Sequence, residues 1–238
     1  MSTLTLVRHG QATWFQADGD SLSPVGETQA SCLADFWLKH GITFDEVYSG
    51  PLTRQIRTAE IVGRRVEQAG SRWPAIRVVE EWAEYDARGI LSKLVPQLAA
   101  RDVKFRQLVE DYEKNAGGPD RNRYFQRMFE AVILEWLGGD LQSPDVESWP
   151  RFQERIGRAV RQIVEAEGAG RRVAVFTSGG PIGTAVQQVL SAPVRSAVEL
   201  NWRIRNCSLT EFIFSGSRLS LDCFNSVSHL DRTLITHR

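Results

Sequence analysis

LTLVRHGQAT, residues 4–13, runs a short apolar and β-branched segment straight into an arginine, a histidine and a glycine. Leu4 to Val7 reads as a strand. A histidine directly beyond a strand stands where open α/β sheets bind ligands, outside the carboxyl ends of their strands. VAVFTSGGPIG, residues 173–183, repeats the design with Ser178, Gly179 and Gly180 after the apolar run. Pro181 then fits the first turn of a following helix, whose free N–H groups favour an anion.

Working outward, further strands are predicted over Glu46 to Tyr48, Ile76 to Val79, Leu209 to Phe214 and Leu219 to Cys223. Between them lie helical patterns. Pro24 to His40 carries Val25, Cys32, Leu33, Phe36 and Trp37 at helical spacing, and Arg54 to Gln68 carries Ala59, Ile61, Val62 and Val66. This alternation predicts an α/β fold: a three-layer sandwich with a mostly parallel central sheet flanked by helices.

From about Arg88 to Leu141 the alternation stops. Leu91 to Leu98, Val103 to Tyr112 and Tyr124 to Leu137 read as helices with no strand between them, and Trp149 to Ala166 leads back to the strand at Val173. The expectation is a single domain over residues 1–238, with a helical insertion or cap over 88–150.

Lys+Arg and Asp+Glu balance at 29 each, so no global field would gather nucleic acid or hold the chain on an anionic membrane. Neither partner is expected. Cys32, Cys207 and Cys223 are odd in number and far apart, which argues against a disulfide framework or a zinc site and fits a reducing cytoplasm. No apolar run approaches the roughly 18 residues of a membrane span, and the start lacks the pattern of a secretory leader. A soluble, cytoplasmic protein is expected.

SGPLTRQIRTAE, residues 49–60, puts Arg54 and Arg57 at a strand-to-helix junction, where backbone N–H groups already favour an anion. With LVRHGQAT it points to a family. The chain resembles the histidine phosphatase superfamily, also called the phosphoglycerate mutase-like superfamily. DSLSPVGETQA (20–30) is similar to that family's D-x-L-T-x-x-G-x-x-Q-A, and SGPLTRQIRTAE to its S-x-L-x-R-A-x-x-T-A-E. WAEYD (82–86), FTSGGPI (176–182), RNCSLTEF (205–212) and FNSVSHL (224–230) match in the same order.

The resemblance implies a phosphohistidine mechanism. Neutral His9 attacks phosphorus, a covalent intermediate forms, and water releases phosphate. Arg8 and Arg54 clamp the phosphoryl oxygens, Gln11, Ser178 and Gly179 join the phosphate site, and Arg57 is a secondary candidate. Glu84 is the acid that protonates the leaving oxygen, with Glu81 its rival. No metal and no cofactor are implied.

The family pattern has a second histidine where this chain has Ser178. That departure removes one donor, a loss of about 10²- to 10³-fold in rate against total accelerations of roughly 10⁶ and above. The expected function is an attenuated phosphatase acting on a small phosphorylated metabolite; a non-catalytic phosphate-binding or regulatory member and a mutase are the alternatives. His229 is a candidate to fill the gap or to make a structural hydrogen bond; His40 and His237 are poorer ones. Arg88, Lys93, Arg121, Arg123 and Arg127 of the insertion are available for a second anionic group, and Trp136, Trp149 and Trp202 raise a homodimer.

Overall fold

The computed structural model describes residues 1–13 and 20–237. It divides into two compact units, Met1–Glu84 with Arg155–Arg238, and Tyr85–Glu154. The first holds a mixed six-stranded sheet in the order β3-β2-β4-β1-β5-β6. Its strands are β1 (Ser2–Arg8), β2 (Glu46–Ser49), β3 (Ile76–Val78), β4 (Arg172–Thr177), β5 (Leu209–Ser215) and β6 (Arg218–Ser226). The first four pair in parallel, while β5 runs antiparallel to β1, and β6 antiparallel to β5. This is the expected α/β architecture.

β1 and β4 are buried along nearly their whole length rather than at alternate residues, as strands covered on both faces must be. Their register pairs Val7 with Phe176 and Arg8 with Thr177, so His9 and Ser178 emerge side by side at one sheet edge. The His9 N–H donates to Thr177 O at 2.9 Å, which fixes that juxtaposition.

α1 (Pro24–Lys39) starts where Ser23 Oγ accepts from Gly26 N and Pro24 supplies a preset first turn. It buries Leu33, Ala34 and Trp37 against Val62 and Val66 of α2 (Thr53–Gln68) and against Val7 and Phe176 of the sheet. Two glycines set its approach. A Cβ on Gly10 would stand 2.5 Å from Gly26 O, and one on Gly26 would stand 2.2 Å from Gln11 O. The backbone after His9 therefore lies directly on the first turn of α1.

The second unit is helical: α3 (Ala87–Gly89), α4 (Val95–Arg101), α5 (Val103–Lys114) and α6 (Arg121–Gly138). The helix expected over Leu91 to Leu98 is interrupted by a π turn at Ile90–Leu94, and α4 restarts with Pro96 in its first turn, where a missing N–H costs nothing. Trp136 and Trp149 are buried edge to face, with ring centroids 5.2 Å apart. Two of the three tryptophans that raised a dimer are thus core residues of this unit.

α7 (Trp149–Val164) leads to β4, α8 (Gly179–Val189) follows it, and α9 (Arg195–Asn201) precedes β5. α9 was not anticipated. At seven residues it is too short for a periodic signal to emerge. Among the described residues no helix is long and apolar enough to cross a membrane, and all three cysteines are free.

Candidate active site

Beyond the carboxyl ends of β1, β2 and β4, His9, Arg54 and Ser178 come together with Glu84. His9 is 6 % exposed. Its Nδ1 lies 2.7 Å from Gly10 O, and its Nε2 lies 3.1 Å from Arg54 Nε. A carbonyl only accepts and a guanidinium only donates, so both contacts assign the same neutral tautomer: Nδ1 carries the proton and Nε2 the lone pair. Burial, then the charges of Arg54 and Arg8, hold the His9 pKa well below its ordinary value. The imidazole is therefore a neutral base with its free nitrogen under an arginine.

Arg54 sits on the first turn of α2. Its Nη1 donates to Asp20 Oδ1 at 2.5 Å, and Asp20 Oδ2 accepts the Thr53 N–H at 2.7 Å. One carboxylate thus anchors both the helix start and the guanidinium. Thr58, one turn further on, accepts from Gly10 N at 3.1 Å and donates to Arg54 O at 2.7 Å, joining α2 to the backbone after His9. Neither Asp20 nor Thr58 was singled out from the sequence, although both lie in the quoted motifs.

Arg8 is buried beside His9 but turns Nη1 toward backbone carbonyls, those of Ile204 and, at 2.9 Å, His237. The terminal segment holding His237 is itself tied down. Gln29 Nε2 donates to Leu234 O and Thr236 Oγ1, and the Asn206 N–H donates to Thr236 O.

Glu84 Oε2 accepts the Gly180 N–H at 3.0 Å, on the first turn of α8. The anion site expected there, at Gly179 and Gly180, holds a carboxylate of the chain itself. Glu81 is engaged through its backbone carbonyl, which accepts from Arg155 at 2.7 Å. Of the two rivals, Glu84 is the one whose side chain reaches the helix start.

Ser178 is fully buried, and its Oγ accepts from Gln55 Nε2 at 2.8 Å. The sequence motifs do not single out Gln55. It occupies the position where the family pattern R-A carries alanine, so the departure was already visible in the motif.

The side chains of the remaining candidates face other neighbours. Arg57 is spent on Glu27 and Glu60 and is over a third exposed. Gln11 Oε1 accepts from Ser23 Oγ at 2.8 Å at the start of α1. His229 lies against Phe36 with centroids 6.0 Å apart, and no hydrogen bond joins it to His9 or Ser178. The ring also lies at the backbone of Cys207, whose N–H donates to His9 O at 3.1 Å. Burial lowers the His229 pKa to about 4. His40 stacks on the same Phe36 at 4.5 Å, and Lys93 of the helical unit pairs with Asp145. Among the described residues no group of three or more His, Cys, Asp or Glu side chains could hold a metal ion.

A neutral histidine, an arginine on its free nitrogen and a glutamate on the next helix start, in the motif order described, is decisive together with one comparison. The family model of the histidine phosphatase superfamily (branch 1) matches residues 4–132 and 123–227. The chain belongs to the histidine phosphatase superfamily. Its sequence is 44% identical over 68 residues to a 2,3-bisphosphoglycerate-dependent phosphoglycerate mutase of Nitratidesulfovibrio vulgaris, covering 26% of this chain and 27% of that one. A mutase of the same description from Thermobifida fusca is 39% identical over 89 residues, 34% of each chain. The chain spans about a third or less of the curated relatives it matches.

Solved structures extend the likeness of fold over the whole chain. Phosphoglycerate mutase from Bacillus anthracis str. Sterne has a TM-score of 0.65 at 22% identity, covering 96% of this chain and 94% of that one. Phosphoserine phosphatase from Entamoeba histolytica has 0.61 at 19% identity, covering 96% and 99%. The superfamily neighbours thus include both phosphatases and mutases.

Proposed function

We propose that this member of the superfamily is a phosphomonoester hydrolase that works through a phosphohistidine on His9. The observation that carries this reading is the His9 tautomer: a proton on Nδ1 held by Gly10 O, and a lone pair on Nε2 beside Arg54. Nε2 attacks phosphorus while the bond to the leaving oxygen breaks, and Glu84 supplies the proton that oxygen needs. Water then attacks the phosphoryl group, the P–N bond breaks, and Glu84 takes the proton from that water.

Each residue has a charge role. Arg54 moves from His9 Nε2 to the phosphoryl oxygens, offsetting charge where it develops, with Arg8 behind it. The Nδ1–H to Gly10 O bond remains throughout and stabilises the imidazolium form of the intermediate. Glu84 Oε2 accepts the Gly180 N–H, which places the carboxyl group at the start of α8 for this proton transfer.

Hydrolysis is favoured over a purely binding role because a binding pocket has no need of a neutral, oriented imidazole. The substrate we assign is a small phosphorylated metabolite in a reducing, cytoplasmic setting, in keeping with three free cysteines. Incubation with phosphoramidate and intact-mass measurement tests the reading. It requires a mass increase of one phosphoryl group, lost on treatment with acid and absent in His9→Ala. An unlabelled wild type sinks it.

A further inference from the structure

Ser178 breaks a local rule. It is the N-cap of α8, where a serine oxygen ordinarily accepts the N–H of the second or third helical residue. Here the third is Pro181, which has no N–H, and the second, Gly180, gives its N–H to Glu84. The hydroxyl is diverted to Gln55 instead.

The direction of that bond is determined. Gln55 Oε1 accepts the Leu52 N–H at 3.1 Å, and its Nε2 faces Trp82 O at 3.2 Å as well as Ser178 Oγ at 2.8 Å. Both ends of the carboxamide assign the same orientation, so Ser178 Oγ is the acceptor toward Gln55. Its own proton must point elsewhere. Trp82 O, the carbonyl shared with Gln55, already takes a second donor, Thr177 Oγ1 at 2.7 Å. Ser178 stands at the end of β4 beside His9, whose N–H is bound by the preceding Thr177 O.

We propose that Gln55 is a positioning residue that makes Ser178 a hydrogen-bond donor to the phosphoryl group carried by His9. This rests on the proposed role of His9. The pair divides the work of a single donor side chain: Gln55 fills the space and sets the direction, and Ser178 delivers the proton of the hydrogen bond without transferring it. Ser178 thereby contributes to catalysis instead of marking only a loss.

The test compares steady-state hydrolysis of an aryl phosphate by full-length wild type, Ser178→Ala, Ser178→Thr, Gln55→Glu and the double variant Gln55→Glu/Ser178→Ala. A carboxylate at 55 accepts from the Ser178 hydroxyl and turns its proton away. Ser178→Ala and Gln55→Glu should each lower kcat by about 10²-fold, with KM within about two-fold, as for loss of one donor that acts in the transition state. The double variant should be no slower than either single one, and Ser178→Thr should retain most of the rate. Gln55→Glu, unlike Ser178→Ala, should recover as falling pH protonates the new carboxyl.

Ser178→Ala within about two-fold of wild type, or losses that multiply in the double variant, overturns the inference. If Gln55→Glu does not fold, Ser178→Ala against Ser178→Thr decides it. Phosphoramidate labelling separates the two readings. No label on wild-type His9 removes the phosphohistidine and this inference with it, whereas equal labelling rates in wild type and Ser178→Ala remove this inference alone.

Discussion

Arg54 Nε lies 3.1 Å from His9 Nε2, while Nη1 of the same guanidinium is fixed 2.5 Å from Asp20. The nitrogen that would attack phosphorus and the cation that would stabilise the result are thereby held as one unit. A lysine cannot reproduce it, since one compact ammonium does not span both partners. Arg54→Lys should lower kcat/KM for an aryl phosphate by about 10²- to 10³-fold. Asp20→Asn, which keeps the guanidinium but loosens it, should cost less. Steady-state kinetics of the two variants checks the order.

The low pKa values of His9 and His229 make stability depend on pH. Both imidazoles are held below the ordinary value of 6.5, His9 well below and His229 at about 4, by burial first in each case. Between the folded and unfolded values the unfolded chain binds more protons, so stability rises with pH. It is fully present above 6.5 and is lost as pH falls from there toward 4. His229→Phe removes one of these groups, a contribution on the order of 2 kcal/mol after allowing for its partial exposure. Its melting temperature should fall less between about pH 7 and about pH 5 than that of wild type. Equal falls would contradict the assignment.

The depressed His9 pKa also bears on hydrolysis. Because His9 is already neutral well below its ordinary value, kcat/KM should show no acid limb near 6.5 from this residue. An NMR titration of the His9 ring with a midpoint near 6.5 would show that it titrates normally.

Gly26→Ala tests the packing that supports the site. The added methyl would meet Gln11 O at 2.2 Å, so α1 or the backbone after His9 must move. A loss of about 1–3 kcal/mol is expected, with a fall in kcat, although residue 26 has no chemical role. Denaturant unfolding and kinetics on the same preparation measure both.

Restoring a histidine at 178 should fail by itself. The Ser178 hydroxyl is 2.8 Å from Gln55 Nε2 with no exposed surface, so an imidazole overlaps the carboxamide. Ser178→His should be destabilised by about 1–3 kcal/mol, whereas Gln55→Ala/Ser178→His should regain stability and hydrolyse at least as fast as wild type. A stable, active Ser178→His single variant would refute this packing argument.

The sheet was legible because its strands are short β-branched runs bounded by turn residues, and each of the six expected strands is present, β6 running three residues past its expected end. The long helices were equally plain from their spacing. Less was legible where several weak signals compete: the interruption of the helix at Ile90–Leu94 follows from Pro96, and α9 has too few residues to show a period. Arg57 looked like a second clamp because it lies one turn from Arg54. On a helix surface that spacing also suits ion pairs with Glu27 and Glu60, and those are what it makes.

By itself the sequence determined the α/β class, the superfamily and the positions of His9, Arg8, Arg54 and Glu84, because strand patterning and motif order are properties of neighbours along the chain. Tertiary structure alone decided how those side chains are used. Asp20 reaches Arg54 from 34 positions away, Glu84 occupies the Gly180 N–H across 96, and Gln55 meets Ser178 across 123. Hydrogen bonds over such separations depend on strand register and helix approach, which no local pattern encodes.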